Sequence, residues 1–386
     1  MTPRTGTPRT VAVVAPYYPP KIGGVENYAA RIAQAVAEDP ELRPVVLTSR
    51  LSGLRTRVST EDGVTVIRLG TWLRLSNTPL SPLWPLQLRY WLRRTGAEVV
   101  NAHAPVPGLA DLAVAVAGRR PTVLTYHAGS MLKGEPGSGA ADRLIAAYER
   151  HLLPRVFARA RTLVAVSPVS LASGRPNAVE ITPGVDTERF TPGKPPSTRP
   201  RTVLYVGRMD RTSAWKGVDV LVRAFAELAG PDRDLAGLRL RLVGGGDALA
   251  DHLALAGRLG VADLVQAPGE LTGDDLVEAV RTAAVLVLPS RTEAESFGMT
   301  LIEAMACGTP VVGSDVGGIP QVVQDGENGL LVPPADPAAL AAAVRRLLTD
   351  GGLADRMGEA GRRRAEERYA WPELMARYTR MFRTLD

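Results

Sequence analysis

Apolar, β-branched runs alternate with helical patterns along the whole chain. In the first half such runs fall at 11–15, 45–48, 64–69, 99–102, 122–126 and 163–166. Between several of them apolar residues recur at helical spacing. The clearest stretch is 24–38, where Val25, Ala29, Ile32, Ala33 and Val36 share one face. Strands that are apolar throughout, separated by helices, indicate a parallel sheet covered on both faces. The pattern breaks at 191–200, where prolines and a glycine cluster as in an interdomain linker. It then restarts, with strands at 203–206, 238–243, 264–266, 284–288, 310–312 and 330–332. Helices are expected near 217–229, 247–259, 273–282, 299–306 and 336–348, with Thr272 as an N-cap. The tail from about 352 reads as helical and arginine-rich.

The expected architecture is α/β, with two doubly wound parallel-sheet domains. The expected boundaries are 1–193 for the first domain, 194–370 for the second and 371–386 for a C-terminal helix. Such sheets bind ligands at the C-terminal ends of their strands, so two facing sheets would hold a site in the cleft between them.

Composition narrows the classes. The chain has 386 residues, 45% of them apolar and 22% charged, which is ordinary globular usage for about two domains. A single cysteine, Cys307, leaves no intramolecular disulfide and no cysteine cluster, which points to a reducing, cytoplasmic setting. The run 11–15 ends at Pro16 and is too short for the core of a secretory signal. No apolar run approaches the roughly 20 residues of a spanning helix. Net charge is +6, unevenly spread. Residues 1–193 carry 23 Lys/Arg and 14 Asp/Glu, whereas 194–386 carry 23 and 26. The first half either faces something anionic, such as a phosphorylated acceptor or a membrane surface, or is simply arginine-rich. Nucleic acid is not expected, because no basic run is interleaved with aromatics.

Four constellations carry chemistry. In the first, the strand at 284–288 leads through a loop bearing Glu295 to a helix opening at Gly298 and Met299. The amides of Phe297, Gly298, Met299 and Thr300 would be the donors of that helix start, an anion site. Glu303, about one turn in, lies among apolar neighbours, and both glutamates are spaced to accept hydrogen bonds from one ligand's hydroxyls. Second, Gly207 and Arg208 end a strand, and Lys216-Gly217 precedes the next helix. Arg offers a planar fork for phosphate and Lys a point charge. Lys216 is one of only four lysines. Third, Gly23 and Gly24 follow the first strand and open the first helix, an approach for phosphate or sugar. Fourth, His127 stands at the end of the strand 122–126, where a histidine can bond a reacting sugar. His103 ends another strand and is a second candidate. Each of these features alone also fits a structural role.

Taken together and in this order, the motifs resemble retaining GT-B glycosyltransferases of family 4. The likeness spans nearly the whole chain. It rests on the E-x7-E element Glu295–Glu303 with the Ala-Met-Ala-Cys-Gly-Thr-Pro-Val-Val and Gly-Gly-Ile-Pro segments that follow. Val-Gly-Arg208, Lys216-Gly, Thr-Pro-Gly184-Val-Asp186 and Gly-Gly-Val-Glu26 support it.

The resemblance implies a role for each group. Glu295 would bind donor-sugar hydroxyls and Glu303 the nucleotide ribose. Arg208 and Lys216 would hold the diphosphate. The backbone at Phe297–Met299 would touch sugar and phosphate, Gly24 would sit beside the diphosphate, and His127 would contact the donor sugar near its reacting carbon. The segment containing Gly269, Glu270 and Leu271 would meet the base. Seven residues separate Arg208 from Lys216, more than in many relatives. Lys216 is preferred over Arg211 because it opens the helix, and Glu295 over Glu293 because of the seven-residue spacing.

The implied reaction moves a hexosyl unit from a UDP- or GDP-sugar to a hydroxyl of a lipid, polysaccharide or small-molecule acceptor. It would retain the anomeric configuration, with the leaving phosphate oxygen taking the acceptor's proton. No cofactor and no metal are expected. Asp232-Arg-Asp234 matches a D-x-D pattern but sits between Pro and Gly like a surface turn, and Gly244–Asp247 reads as a plain turn after a strand. Residues 72–94, with three of the five tryptophans and four arginines, read three ways: a face docking at the inner membrane surface, an apolar acceptor pocket, or a helix packed on the first sheet. The alternative functions are a sugar-nucleotide epimerase or hydrolase on the same fold, a non-catalytic nucleotide-sugar-binding partner, and a dehydrogenase.

Overall fold

Two parallel sheets carry the chain in the computed structural model, which describes residues 7–21, 23–75, 78–132, 139–230 and 235–385. The described chain divides into two units, 1–182 with 372–386, and 183–371.

The first unit runs β1 (Arg9–Ala15), α1 (Gly24–Glu38), β2 (Leu42–Ser49), β3 (Arg57–Glu61), β4 (Val64–Leu69), β5 (Leu73–Leu75), β6 (Thr78–Leu80) and α2 (Trp84–Arg94). It continues with β7 (Val99–Ala104), α3 (Leu109–Val116), β8 (Thr122–Tyr126), α4 (Gly139–Ala147), α5 (Leu153–Arg159), β9 (Thr162–Ala165) and β10 (Ala178–Glu180). Its sheet has the order β10-β9-β8-β7-β1-β2-β4-β3. All pairings are parallel except the edge pair of β3 with β4. β1, β7 and β8 are buried along almost their whole length, as expected for strands covered on both faces.

The second unit comprises β11 (Thr202–Val206), α6 (Val218–Ala229), β12 (Arg239–Val243), α7 (Leu249–Arg258), β13 (Val265–Gly269), α8 (Gly273–Thr282) and β14 (Val285–Leu288). After these come α9 (Met299–Ala306), β15 (Val311–Ser314), α10 (Ile319–Val322), β16 (Gly329–Val332), α11 (Pro337–Thr349) and α12 (Gly351–Tyr369). The sheet order β13-β12-β11-β14-β15-β16 is the doubly wound order, and strand succession reverses between β11 and β14. In the first unit the reversal falls between β1 and β7.

The proline-rich segment 191–200 is not a free linker, and the first unit ends at Thr182 rather than 193. Two arginines bind this stretch and the residues just before it into the second unit. Arg199 donates to the carbonyls of Lys194, Ala283 and Cys307 and to Thr309 Oγ1, at 2.7 to 3.3 Å. Arg362 donates to Phe190 O and Ala306 O, both at 2.7 Å, and to Thr187 O. The last helix, α13 (Trp371–Thr384), groups with the first unit from Pro372 onward. There Tyr378 and Phe382 are fully buried, and Arg9 donates to the carbonyls of Phe382 and Leu385.

Candidate functional site

The polar groups of the second unit gather at its strand-order reversal. Beyond β11 the chain passes Gly207 and Arg208 and then forms a 3-10 helix, Arg211–Lys216. This is how the seven residues between the two cations are accommodated. Met209 N bonds Gly245 O and Ala248 N bonds Met209 O, so the turn after β12 supports the Arg208 loop. The Tyr205 hydroxyl donates to Arg208 O at 3.2 Å from beneath. Arg208 itself projects outward, two-thirds exposed, with Asp210 at 3.8 Å. Arg211 is engaged elsewhere, paired with Asp251 at 2.8 Å.

Gly217 turns the chain into α6 in the left-handed region, at φ 67°, and a Cβ there would collide with Pro289 O at the end of β14. Only glycine lets the start of α6 approach the end of β14 so closely. Lys216 is thereby brought against the loop after β14. Its Nζ donates to Glu295 Oε2 at 3.0 Å, and Ser290 Oγ donates to the same oxygen at 3.2 Å. Lys216 and Glu295 are both largely buried, and Nζ also lies 4.4 Å from the centre of the Trp215 ring. Glu293, the other loop carboxylate, is exposed.

The loop is held from below by Gly317 and Gly318. Gly318 N donates to Glu295 O at 2.8 Å, and Cβ atoms on these glycines would strike the carbonyls of Glu295 and Ser296. Phe297 is buried edge-on against Tyr369, ring centres 5.6 Å apart, so its side chain anchors the backbone that leads into α9. Gly298 is the N-cap of α9 at φ 91°, and Met299 and Thr300 form the first turn. Glu303 follows one turn on. Desolvation pushes its carboxyl up to about 7. Gly269, Glu270 and Leu271 lie at the end of the edge strand β13, away from this cluster in the sheet order; Glu270 is exposed.

In the first unit, Gly23 precedes α1 and Gly24 begins it. The buried Glu26 carboxylate folds back over Gly23, with Lys21 Nζ at 3.6 Å. His127 follows β8 and is half-buried; burial pushes it down to about 3. Its Nε2 lies 2.9 Å from Nδ1 of the fully buried His103, and the two rings stack. The two candidate histidines are therefore one structural pair.

The stretch 72–94 has two apolar faces. Trp84, Leu88 and Leu92 of α2 pack inward, while Leu83, Leu86 and Tyr90 point out, alongside the exposed Trp72, Leu73 and Leu75. Asp232 and Asp234 lie outside the described residues. Among the described residues, no helix is long and apolar enough to span a membrane, and no group of three metal-ligating side chains is gathered.

Sequence reasoning did not single out Ser290, Tyr205 or the Gly317–Gly318 seat as parts of the site. The glycine pair was visible only as motif; its function as a close-approach surface needed the fold.

Comparison with known proteins places the chain in a family. Residues 22–189 match the family described as Glycosyltransferase Family 4, and residues 200–350 match Glycosyl transferases group 1. A D-inositol 3-phosphate glycosyltransferase of Acidothermus cellulolyticus is 34% identical over 89% of this chain and 84% of its own length. Its namesake from Thermobifida fusca is 31% identical over 88% and 83%. Among solved structures, sucrose-phosphate synthase from Thermosynechococcus elongatus superposes with a TM-score of 0.79 and 26% identity, over 98% of this chain and 99% of that one. Anabaena HepE, solved in complex with UDP-glucose, shares the fold at a TM-score of 0.70 and 20% identity, over 97% of this chain and the whole of that one. The chain therefore belongs to the group 1, family 4 glycosyltransferases, enzymes of the GT-B fold.

Proposed function

We propose that the chain transfers a hexosyl unit from a UDP- or GDP-sugar to an acceptor hydroxyl, with retention of configuration and without a metal or other cofactor. The observation that carries this reading is the Lys216–Glu295–Ser290 cluster at the strand-order reversal, with the start of α9 and Glu303 beside it. In it, Glu295 accepts from sugar hydroxyls and Glu303 from the ribose, with the backbone from Phe297 to Thr300 facing sugar and phosphate. Arg208 and Lys216 stabilise the charge that develops on the leaving phosphate as the glycosidic bond breaks. The phosphate oxygen then takes the acceptor's proton. The base rests against Gly269, Glu270 and Leu271, and Gly23, Gly24 and His127 serve from the first unit.

The acceptor belongs to the first unit. The curated relatives are named for D-inositol 3-phosphate, an anionic acceptor, and the excess of arginine in residues 1–193 fits that charge. Three buried hydroxyls at or just past strand ends, on Thr48, Tyr126 and Ser167, have no partner among the described residues and would be satisfied by ligand groups. The outward stripe of α2, flanked by Arg89, Arg93 and Arg94, suits peripheral contact with an anionic bilayer.

The test is a thermal-shift panel of UDP-, GDP-, ADP- and dTDP-sugars in chelator, followed by transfer assays with inositol phosphate, glycolipid and polysaccharide acceptors. A ligand at 100 times its Kd adds about 2.7 kcal/mol of apparent stability. One nucleotide class is expected to stabilise without metal. Stabilisation by none, or activity lost in chelator and restored by magnesium or manganese, overturns the reading.

A further inference from the structure

We infer that a hydrogen-bond chain from Asn101 through His103 inside the first unit fixes His127 as its Nε2–H tautomer, with His103 and Asn101 as the positioning residues. The argument starts at Asn101, which is fully buried on β7. Its Nδ2 lies 3.3 Å from Val123 O and 3.2 Å from Thr125 Oγ1. A backbone carbonyl only accepts, so the amide must donate there, and its Oδ1 faces His103. His103 Nε2 lies 2.9 Å from that oxygen and must carry a proton. Burial holds His103 neutral, so its Nδ1 is a lone pair. The 2.9 Å contact between His103 Nδ1 and His127 Nε2 then has one solution: His127 donates. His127 is neutral as well, so its Nδ1 is the unprotonated nitrogen.

Past Asn101 the contacts extend to α13. Thr125 Oγ1 lies 3.1 Å from the Tyr378 hydroxyl, and that hydroxyl 3.2 Å from the Tyr28 hydroxyl. The Tyr28 hydroxyl also lies 3.0 and 3.3 Å from the carbonyls of Ile181 and Thr182. The Tyr378 hydroxyl thus accepts from Tyr28 and from Thr125. Tyr378 comes from α13, so docking of that helix is a link in the same chain.

The consequence bears on ligand choice and rests on the placement of His127 at the donor sugar. Any polar group that meets its Nδ1 must donate: a sugar hydroxyl is accepted, whereas a ring ether or a phosphate oxygen is repelled. His127 also has no proton on Nδ1 to give a leaving group.

The chain has four histidines, so long-range 1H–15N correlation spectra of the full-length, histidine-labelled protein are assignable with single His→Gln variants. His103 and His127 are expected as Nε2–H tautomers from pH 8 down to pH 5. A proton on Nδ1 of His127, or a tautomer mixture, overturns the inference. His103→Leu removes the acceptor and is expected to mix the His127 tautomers and lower kcat/KM about tenfold. His103→Gln, which returns an amide oxygen to that position, should restore both. Unchanged kcat/KM in a folded His103→Leu protein with mixed tautomers refutes the positioning role. A wild-type protein with the expected tautomer but no transfer of any sugar refutes the transferase reading, not the relay.

Discussion

If Glu303 holds the ribose as proposed, donor binding should depend on pH in the neutral range. Its carboxyl is raised from an ordinary 4.5 to about 7 by desolvation alone. A carboxylate accepts from both ribose hydroxyls, whereas a protonated carboxyl has one acceptor fewer and a donor to place. If binding requires the carboxylate, Kd follows the fraction of Glu303 that is ionised in the free protein. That fraction falls from about nine-tenths at pH 8 to about one-tenth at pH 6, so Kd rises about tenfold, or about 1.4 kcal/mol. Binding at pH 7 should release about half a proton, read by calorimetry in two buffers of different ionisation heat. The titrant should be the nucleotide sugar, because the terminal phosphate of a free nucleoside diphosphate ionises near 6 and would add its own slope. Without ligand the sign reverses. The folded protein holds a proton that the unfolded chain releases, so this contribution to stability is complete below about 4.5 and is lost as pH rises through 7. It amounts to at most about 3 kcal/mol. Glu303→Gln removes both slopes. At pH 8 it should weaken donor binding about 10- to 150-fold, the loss of a hydrogen bond to a charged group, and the gap should narrow about tenfold at pH 6. A wild-type Kd that is flat from pH 6 to 8, or a Glu303→Gln protein with the wild-type slope, refutes the reasoning.

Three further outcomes follow from the same geometry. Lys216→Ala and Arg208→Ala should each lower turnover about 10- to 150-fold. Because Arg208 is largely exposed, its variant should keep the wild-type Tm, and turnover within threefold of wild type removes either residue from the site. Arg199→Met leaves the carbonyls of Lys194, Ala283 and Cys307 without their buried donor and should cost at least about 3 kcal/mol, a fall of about 6–12 °C in calorimetric Tm; a fall under about 3 °C counts against the anchoring role. Leu86→Glu combined with Tyr90→Glu should abolish flotation with anionic liposomes at low salt while leaving turnover of a water-soluble acceptor intact; wild-type protein that does not float ends the membrane reading.

Most strands were legible because burial on both faces writes them as unbroken apolar runs. The runs at 64–69 and 122–126 coincide with β4 and β8, and the helical face at 24–38 with α1. Elements without such burial left no trace. β3 is an antiparallel edge strand with alternating exposure, and β10 is three residues long and partly exposed. The stretch 191–200 misled for a related reason. Its prolines are local, but the acceptors that immobilise Arg199 lie about 85 to 110 residues further on, where no window of sequence connects them. Thr272 shows the same limit on a smaller scale: it occupies the N-cap position of α8, yet its side chain makes no capping bond.

The chemistry-bearing residues were found more readily than the contacts that organise them, and topology explains why. Lys216 and Glu295 are 79 residues apart, and they touch because β11 and β14 are neighbours across the reversal in strand order. His103 and His127 pair because β7 and β8 run parallel in register, with His103 opposite Thr125. Each histidine taken singly fits an ordinary buried ring. The meaning lies in the pair, because a neutral ring with one nitrogen committed as donor dictates the protonation of the next. A sequence motif names which groups sit at a strand end. Sheet order decides which two strand ends are adjacent, and only adjacency determines whether a cation is shared with a carboxylate or which nitrogen keeps the proton.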